Sequence, residues 1–510
     1  MLVGLGLGWL AAGLGLALIA SVKLVVPGLL ADCAWLSYGR IQPAAWNALV
    51  YGFGAQVGLG VGLWLVCRLS GAPLIGRAAV VLAALCWNIG LKIGIFGILI
   101  GDSTGIETLE LPAYASPVLF CAYVCIAVCA ALTFHARRER ELYVSQWYIL
   151  GALLAFPWLY SAANLLAVYA PLRGVLQAAV QAWYAHNLFT VWLAFIGLAA
   201  LFYFIPKLAG APIPSRRLAL VGFWTLALFG SLGGLQRYAG GPFPAWLLGV
   251  SVVASVCTLV PVLAVAVNLA GALKGRAARL DALGHELGDA SSFVPDGTCR
   301  PPPPLPTDES VGYFLSPWRA GITTARLCLC ALKAHPAGQF VLFAFCAYAL
   351  GGLLAVANAL PPVRWITHFT LFSTALEQLA LQGFVAMTLY GALYFIVPRL
   401  LACEWPSPRA IRAHLGCAAA GVCLSFLALA LGGIIQGQAL NDPAIAFNAV
   451  VEHCRPYLLA AALANALLLL GALAVTVHFL WLLGRCWRAR CVPAVREWFR
   501  EQPAAPEIKV

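Results

Sequence analysis

Long apolar runs broken by short polar or charged segments dominate the chain. Each run holds about 20 residues or more, enough to cross the roughly 30 Å hydrocarbon core of a bilayer as a helix. The pattern predicts about twelve such spans, near residues 4–27, 46–67, 78–101, 114–135, 146–169, 178–205, 217–237, 245–272, 337–359, 370–397, 412–435 and 455–484. Backbone polar groups in lipid must be satisfied within the segment, which favours helices, and the short alternating stretches of a membrane β-barrel are absent. The fold class expected is an all-α integral membrane protein.

Two stretches break the rhythm. Residues 273–336 pass from a basic segment through Pro301–Pro304 to Asp308, Glu309 and Ser310. That composition predicts an extended or disordered cytoplasmic insertion, more simply a tolerated linker than a docking site. Residues 487–510 read as a basic tail that rests on anionic headgroups. The expected organisation is helices 1–8 in 1–272, the insertion, helices 9–12 in 337–486, and the tail.

Composition agrees with the pattern. The 510 residues are 62% hydrophobic and 10% charged, with a mean hydropathy of +0.90, which excludes an ordinary soluble domain. The net charge of +12 does not point to nucleic acid, because the cations gather in alternate loops. Arg68 and Arg77, Arg137, Arg138 and Arg140, Lys207, Arg216 and Arg217, Lys274, Arg276 and Arg279, Arg399, Arg409 and Arg412, and Arg485, Arg488 and Arg490 occupy one set of connections. The intervening loops are poorer in charge or acidic, as at Asp102, Glu107 and Glu110. This positive-inside bias puts both termini in the cytoplasm of a bacterial inner membrane, with lipid as the general partner. The first span lacks a basic n-region and reads as a retained helix. The 17 cysteines show no zinc spacing and read as small buried hydrophobes.

Candidate chemistry is sparse. His186 lies in Trp183-Tyr184-Ala185-His186-Asn187, inside a long apolar run. A histidine at that depth is a metal ligand, a proton carrier or a packed polar group. Lys92 is a second ionisable residue within a span, where a snorkelling side chain is the simplest account.

Several collinear stretches resemble catalytic subunit I of the haem-copper oxidases, most closely the cbb-type cytochrome c oxidases. They are Tyr38-Gly39-Arg40-Ile41-Gln42-Pro43 with Asn47, Glu107-Thr108-Leu109-Glu110-Leu111-Pro112, and Tyr143 through Tyr148 with Asn164. The run from Trp183 to Lys207 follows, then Phe223-Trp224, Pro244-Ala245-Trp246, Thr367-His368-Phe369-Thr370, Gly391 through Tyr394, and Gly433-Ile434-Ile435-Gln436-Gly437. The resemblance implies a twelve-helix bundle, haem b and copper as cofactors, and other oxidase subunits or a c-type cytochrome as partners. It implies a low-spin haem held by histidines on helices 2 and 10, and a high-spin haem held by a second histidine on helix 10. Copper would be held by one histidine on helix 6 and a pair on helix 7.

At the matching positions this chain departs from that pattern. The helix-2 position is Ala45, the two helix-10 positions are Leu376 and Gln378, and the helix-7 pair is Gln236 and Arg237. Only His186 remains, as the helix-6 copper position. Alanine and leucine offer iron no lone pair, glutamine is a poor ligand, and arginine stays protonated. One imidazole does not make a copper site that competes for the metal. The expectation is therefore a subunit I relative without cofactors, acting as a structural or accessory subunit. An active terminal oxidase with unconventional ligation and a proton or anion channel in the vacated space remain as alternatives. Arg237 and Glu377 are expected to approach each other there, with hydrogen bonds from His186 and Gln378. Arg40 and Glu110 match positions near the haem propionates.

Overall fold

The computed structural model describes residues 1–139, 141–289 and 335–500, with side chains placed except at 275–289 and 490–500. The expected linker character of 290–334, the end of the tail and the position of Arg140 lie outside the described residues. Among the described residues, twelve helices are long and apolar enough to cross a membrane. They are α1 (Leu2–Val25), α2 (Tyr38–Ser70), α3 (Arg77–Ile100), α4 (Ser116–His135), α5 (Val144–Tyr169), α6 (Val175–Ala209), α7 (Arg216–Tyr238), α8 (Ala245–Lys274), α9 (Pro336–Ala359), α10 (Leu371–Leu401), α11 (Pro408–Leu440) and α12 (Phe447–Ala489). The helix containing α8 continues to Asp289 and that containing α12 to Arg500. The start of the expected insertion, residues 273–289, is thus helical rather than extended, because Ala, Leu, Lys and Arg carry the helix past the apolar run.

Burial sorts the helices into a core and a shell. In α2, α6 and α10 the most apolar window is 89%, 83% and 94% buried, against 33–50% in the other nine. The three inner helices are apolar around much of their circumference, as a helix enclosed by others must be. Each widens into a π turn near its middle, at Ala48–Ala55, Leu188–Leu193 and Leu379–Ala386. Such turns often mark functional positions. Here they follow the positions singled out from sequence within three residues: Ala45 precedes Ala48, His186 precedes Leu188, and Leu376 and Gln378 precede Leu379.

Twelve crossings leave both ends of the bundle's chain on one face. The loops 26–37, 101–115, 170–174, 239–244, 360–370 and 441–446 gather on the opposite one, called here the far face. The even-numbered helices start at the far face and the odd-numbered ones end there.

Glycine sets how closely the helices meet. On α1, Gly6 and Gly13 receive Val57 and Leu49 of α2, and Gly52 of α2 receives Trp9. Asn88 and Gln56 exchange amide hydrogen bonds at 2.8 and 3.3 Å, and Trp9 Nε1 donates to Asn88 Oδ1 at 2.9 Å. These satisfied polar groups fix the register of α1, α2 and α3. On α11, a Cβ at Gly433 or Gly437 would collide with the backbone of Phe372 or Ile366. Gln436 Oε1 accepts from Leu371 N at 2.9 Å, capping the start of α10.

Candidate functional site

A cavity of about 270 Å³ lies against α10 on the side away from α11. Its walls come from α6, α7, α8, α9, α10 and the short helix Pro361–Thr367. Five of the residues selected from sequence line it: His186, Gln236, Arg237, Leu376 and Glu377. The three copper positions and one of the two helix-10 haem positions implied by the resemblance therefore open on one space. Ala45, the helix-2 low-spin haem position, and Gln378, the other helix-10 position, do not line it. Ala45 is 2% exposed, one turn before Ala48 and Leu49 on the stripe of α2 that meets Gly13 of α1.

His186 is held by its neighbours. Trp183 Nε1 and Asn187 Nδ2, on the same helix, donate to Ser231 O at 3.1 and 3.3 Å and tie α6 to the end of α7. The imidazole then rests on Gly233, where any Cβ would collide with it, and a Cβ at Gly234 would collide with Ala182 O and the Cβ of His186. Gly234 has φ +111°, a conformation that strains other residues. The His186 Nε2 atom is buried without a hydrogen-bond partner.

Gln236 and Arg237 follow in the turn Leu235–Tyr238. The Gln236 amide is fully engaged: Oε1 accepts from Gly234 N at 2.7 Å and from Ser251 Oγ, and Nε2 donates to Ser255 Oγ at 2.8 Å. Arg237 pairs with Glu107, its Nη2 at 2.9 Å from both carboxylate oxygens. This corrects the expected arrangement. Arg237 and Glu377 share the cavity, but the partner of Arg237 is Glu107, and neither His186 nor Gln378 bridges them. The reason is topological. Arg237 lies at the far-face end of α7, where the α3–α4 loop presents Glu107 in water-accessible surroundings, with side-chain exposures of 30% and 48%. Glu107 was visible in the sequence as an acidic residue of a same-face loop, and that parity was the signal for the pairing.

Arg40 and Glu110 sit apart from the cavity and from each other. Arg40 Nη1 donates to Leu99 O at 3.2 Å and its guanidinium stacks on Gly101, closing the end of α3. Glu110 is 7% exposed and accepts from Thr108 N at 2.8 Å and Asn47 Nδ2 at 3.0 Å. Burial pushes its carboxyl up, and those hydrogen bonds hold it partly down. Thr108 has φ +68°, unusual for a β-branched residue and imposed by the turn that aims its N–H at Glu110. Lys92 is exposed on the outside of the bundle.

Sequence reasoning missed Arg364. It lines the cavity at 9% exposure, and its Nε is buried without a partner. Burial first, and the Arg237 charge second, lower its pKa to about 10. His368 Nε2 lies 2.6 Å from Arg237 O, and burial lowers that imidazole, with Arg364 and Arg237 adding to the effect.

The donor set was tested against the implied cofactors. Among the described residues no group of three or more His, Cys, Asp or Glu side chains is placed to hold a metal. Around His186 stand an engaged amide and a paired guanidinium, and Leu376 offers iron nothing. The residues present do not fit copper or an axially ligated haem.

The family model described as cytochrome c and quinol oxidase polypeptide I matches residues 1–467. The chain is 25% identical over 480 residues to the cytochrome c oxidase subunit 1 homolog of Azorhizobium caulinodans, covering 91% of this chain and 78% of that one. It is 23% identical over 454 residues to the cbb3-type cytochrome c oxidase subunit CcoN1 of Stutzerimonas stutzeri, covering 87% and 85%. A cryo-EM structure of a haem-copper terminal oxidase dimer superposes with a TM-score of 0.65 at 14% identity, over 95% of this chain and 84% of that one.

Proposed function

The chain belongs to the cytochrome c and quinol oxidase polypeptide I family as a cbb3-type subunit I-like membrane protein, and from that premise we propose that it is a cofactor-free, non-catalytic member. Its role in this reading is structural or accessory, within or beside a respiratory oxidase complex. Family members work in complexes with other subunits and lipid. Its place is the bacterial inner membrane with both termini cytoplasmic, which the distribution of basic loops supports.

One observation carries the reading. Four of the positions that the family assigns to metal ligands converge on one cavity, and they present one imidazole, a hydrogen-bonded amide, a guanidinium and an isobutyl group. Shared fold does not supply a missing donor. Retention of Arg40 and Glu110 does not demand haem, because both have partners within the protein. A conducting role is less well supported. The end of the cavity farthest from the far face is walled mostly by Ala194, Leu226, Val262, Phe384 and Val385, and the Tyr348 hydroxyl beside Phe384 is buried without a hydrogen-bond partner, so no relay continues beyond it.

A pyridine haemochrome assay with metal analysis on the detergent-purified full chain tests this. Haem and copper near zero per chain is the expected result. One haem per chain, resistant to washing, would overturn the reading and restore the oxidase.

A further inference from the structure

The cavity has a direction. Along α6 its wall runs from Ala182 to Ala194, and along α10 from Ser373 to Val385. Twelve residues at 1.5 Å each make it about 18 Å long. The far-face end carries Gln236, Arg237, Asn358, Arg364 and Ser373. The deep end is the mostly apolar wall described above, with the Tyr348 ring and its single hydroxyl beside Phe384. Such a gradient matches a ligand with one polar head and one hydrocarbon tail.

The charge at the head end identifies the head. Arg237 is neutralised by Glu107, whereas Arg364 makes no ion pair among the described residues. It is nine-tenths buried, lines the cavity and has an unpartnered Nε. A buried guanidinium without an anion is costly, and a planar carboxylate satisfies its fork. One guanidinium without an anion calls for a single negative charge, which favours a monoanionic head over a dianionic one such as phosphate.

We propose that this cavity binds a single-chain amphiphilic monocarboxylate, its head on Arg364 and its tail directed inward between α6, α7, α8 and α10. The inference rests on the cofactor-free reading, since a haem in the same space would exclude the tail.

The test uses the delipidated full chain in nanodiscs of uncharged lipid, with radiolabelled octanoate as the probe and haem assayed on the same sample. Saturable octanoate binding is expected, with octanol and octyltrimethylammonium failing to compete. Arg364→Gln should weaken binding at least tenfold, and Arg399→Gln, at the other end of α10, should leave it unchanged. Ala380→Phe, which leaves the cation in place and obstructs the tail, should also abolish binding and carries the test if Arg364→Gln does not fold. Equal competition by octanol, or unchanged binding in folded Arg364→Gln, would overturn the proposal. Absence of haem with no octanoate binding would sink it alone, whereas haem in the cavity would sink the cofactor-free reading first.

Discussion

The two sides of α10 have been treated differently. Toward α11 the helix and the segment leading into it are sealed: Gly433 lets α11 touch the backbone of Phe372, Gly437 lets it touch that of Ile366 just before α10, and Gln436 caps Leu371. Ala45, one of the two low-spin haem positions, is buried on the similarly sealed face of α2, where Gly13, Trp9 and Gly52 interlock. Toward α6–α9 the same helix faces a cavity of about 270 Å³ with polar atoms left unpaired. Close packing disposes of unused space when helices can approach, and small residues are what permit the approach in a membrane. The cavity side also carries small residues, such as Ala185, Gly351, Gly352 and Ala380, but it sets Arg237, Arg364 and Glu377 among them. Arg237 has its partner in Glu107, whereas Arg364 Nε and His186 Nε2 are left buried without one. One side thus reads as scaffold and the other as a binding site.

The largest effect that would expose this asymmetry is expected at Gly437. Gly437→Val places a branched side chain against the carbonyl of Ile366, where backbone rather than a flexible side chain must move. Overpacking of this kind costs about 1–3 kcal/mol and more where the backbone cannot yield. The variant should show a large drop in thermal unfolding temperature or no folded protein by size-exclusion chromatography. Wild-type stability in Gly437→Val would mean that the seam is not sealed.

The contrasting change is Ala194→Leu, which adds three carbons at the deep end of the cavity. If that space is open, the substitution should fall within about 1 kcal/mol of wild type or stabilise the protein. The unfolding temperature should stay level or rise. A loss as large as that of Gly437→Val would erase the distinction between the two sides.

Much of this was legible from the chain and part was not. The apolar runs gave the twelve helices because membrane thickness fixes their length. Collinear motifs gave the family because they extend over nearly the whole chain. The cavity-lining set His186, Gln236, Arg237, Leu376 and Glu377 could be chosen by position alone. Which charge meets which could not, since Arg237 has two carboxylates near it and three-dimensional proximity to Glu107 decides. Arg364 was invisible for another reason. It lies in a short helix between spans, where an arginine ordinarily signals a solvated loop, and its burial follows from how Pro361–Thr367 folds back over the cavity.

The smallest expected effect lies where the two sides join. Residues 360–370 touch α11 through Trp365 O, which accepts from Asn441 Nδ2 at 3.1 Å, and touch the cavity rim through His368 Nε2 and Arg237 O. A neutral imidazole in that contact must carry its proton on Nε2 to donate to the carbonyl. Burial above all lowers its folded-state pKa from 6.5, the hydrogen bond to Arg237 O opposes that, and the charges of Arg364 and Arg237 add smaller downward shifts. A depressed histidine contributes stability that is present above the unfolded pKa and lost as pH falls through the folded one. Glu110, raised by burial, acts in the opposite sense, gaining relative stability as it protonates. The difference between wild type and His368→Gln isolates the imidazole, because glutamine keeps a donor and does not titrate. Wild type should lose a little more stability than His368→Gln as pH drops below about 6.5, with the two unfolding curves keeping a constant offset above it. Parallel curves over the whole range would show that the rim does not sense the guanidinium pair, and would leave the cavity side electrostatically as quiet as the sealed one.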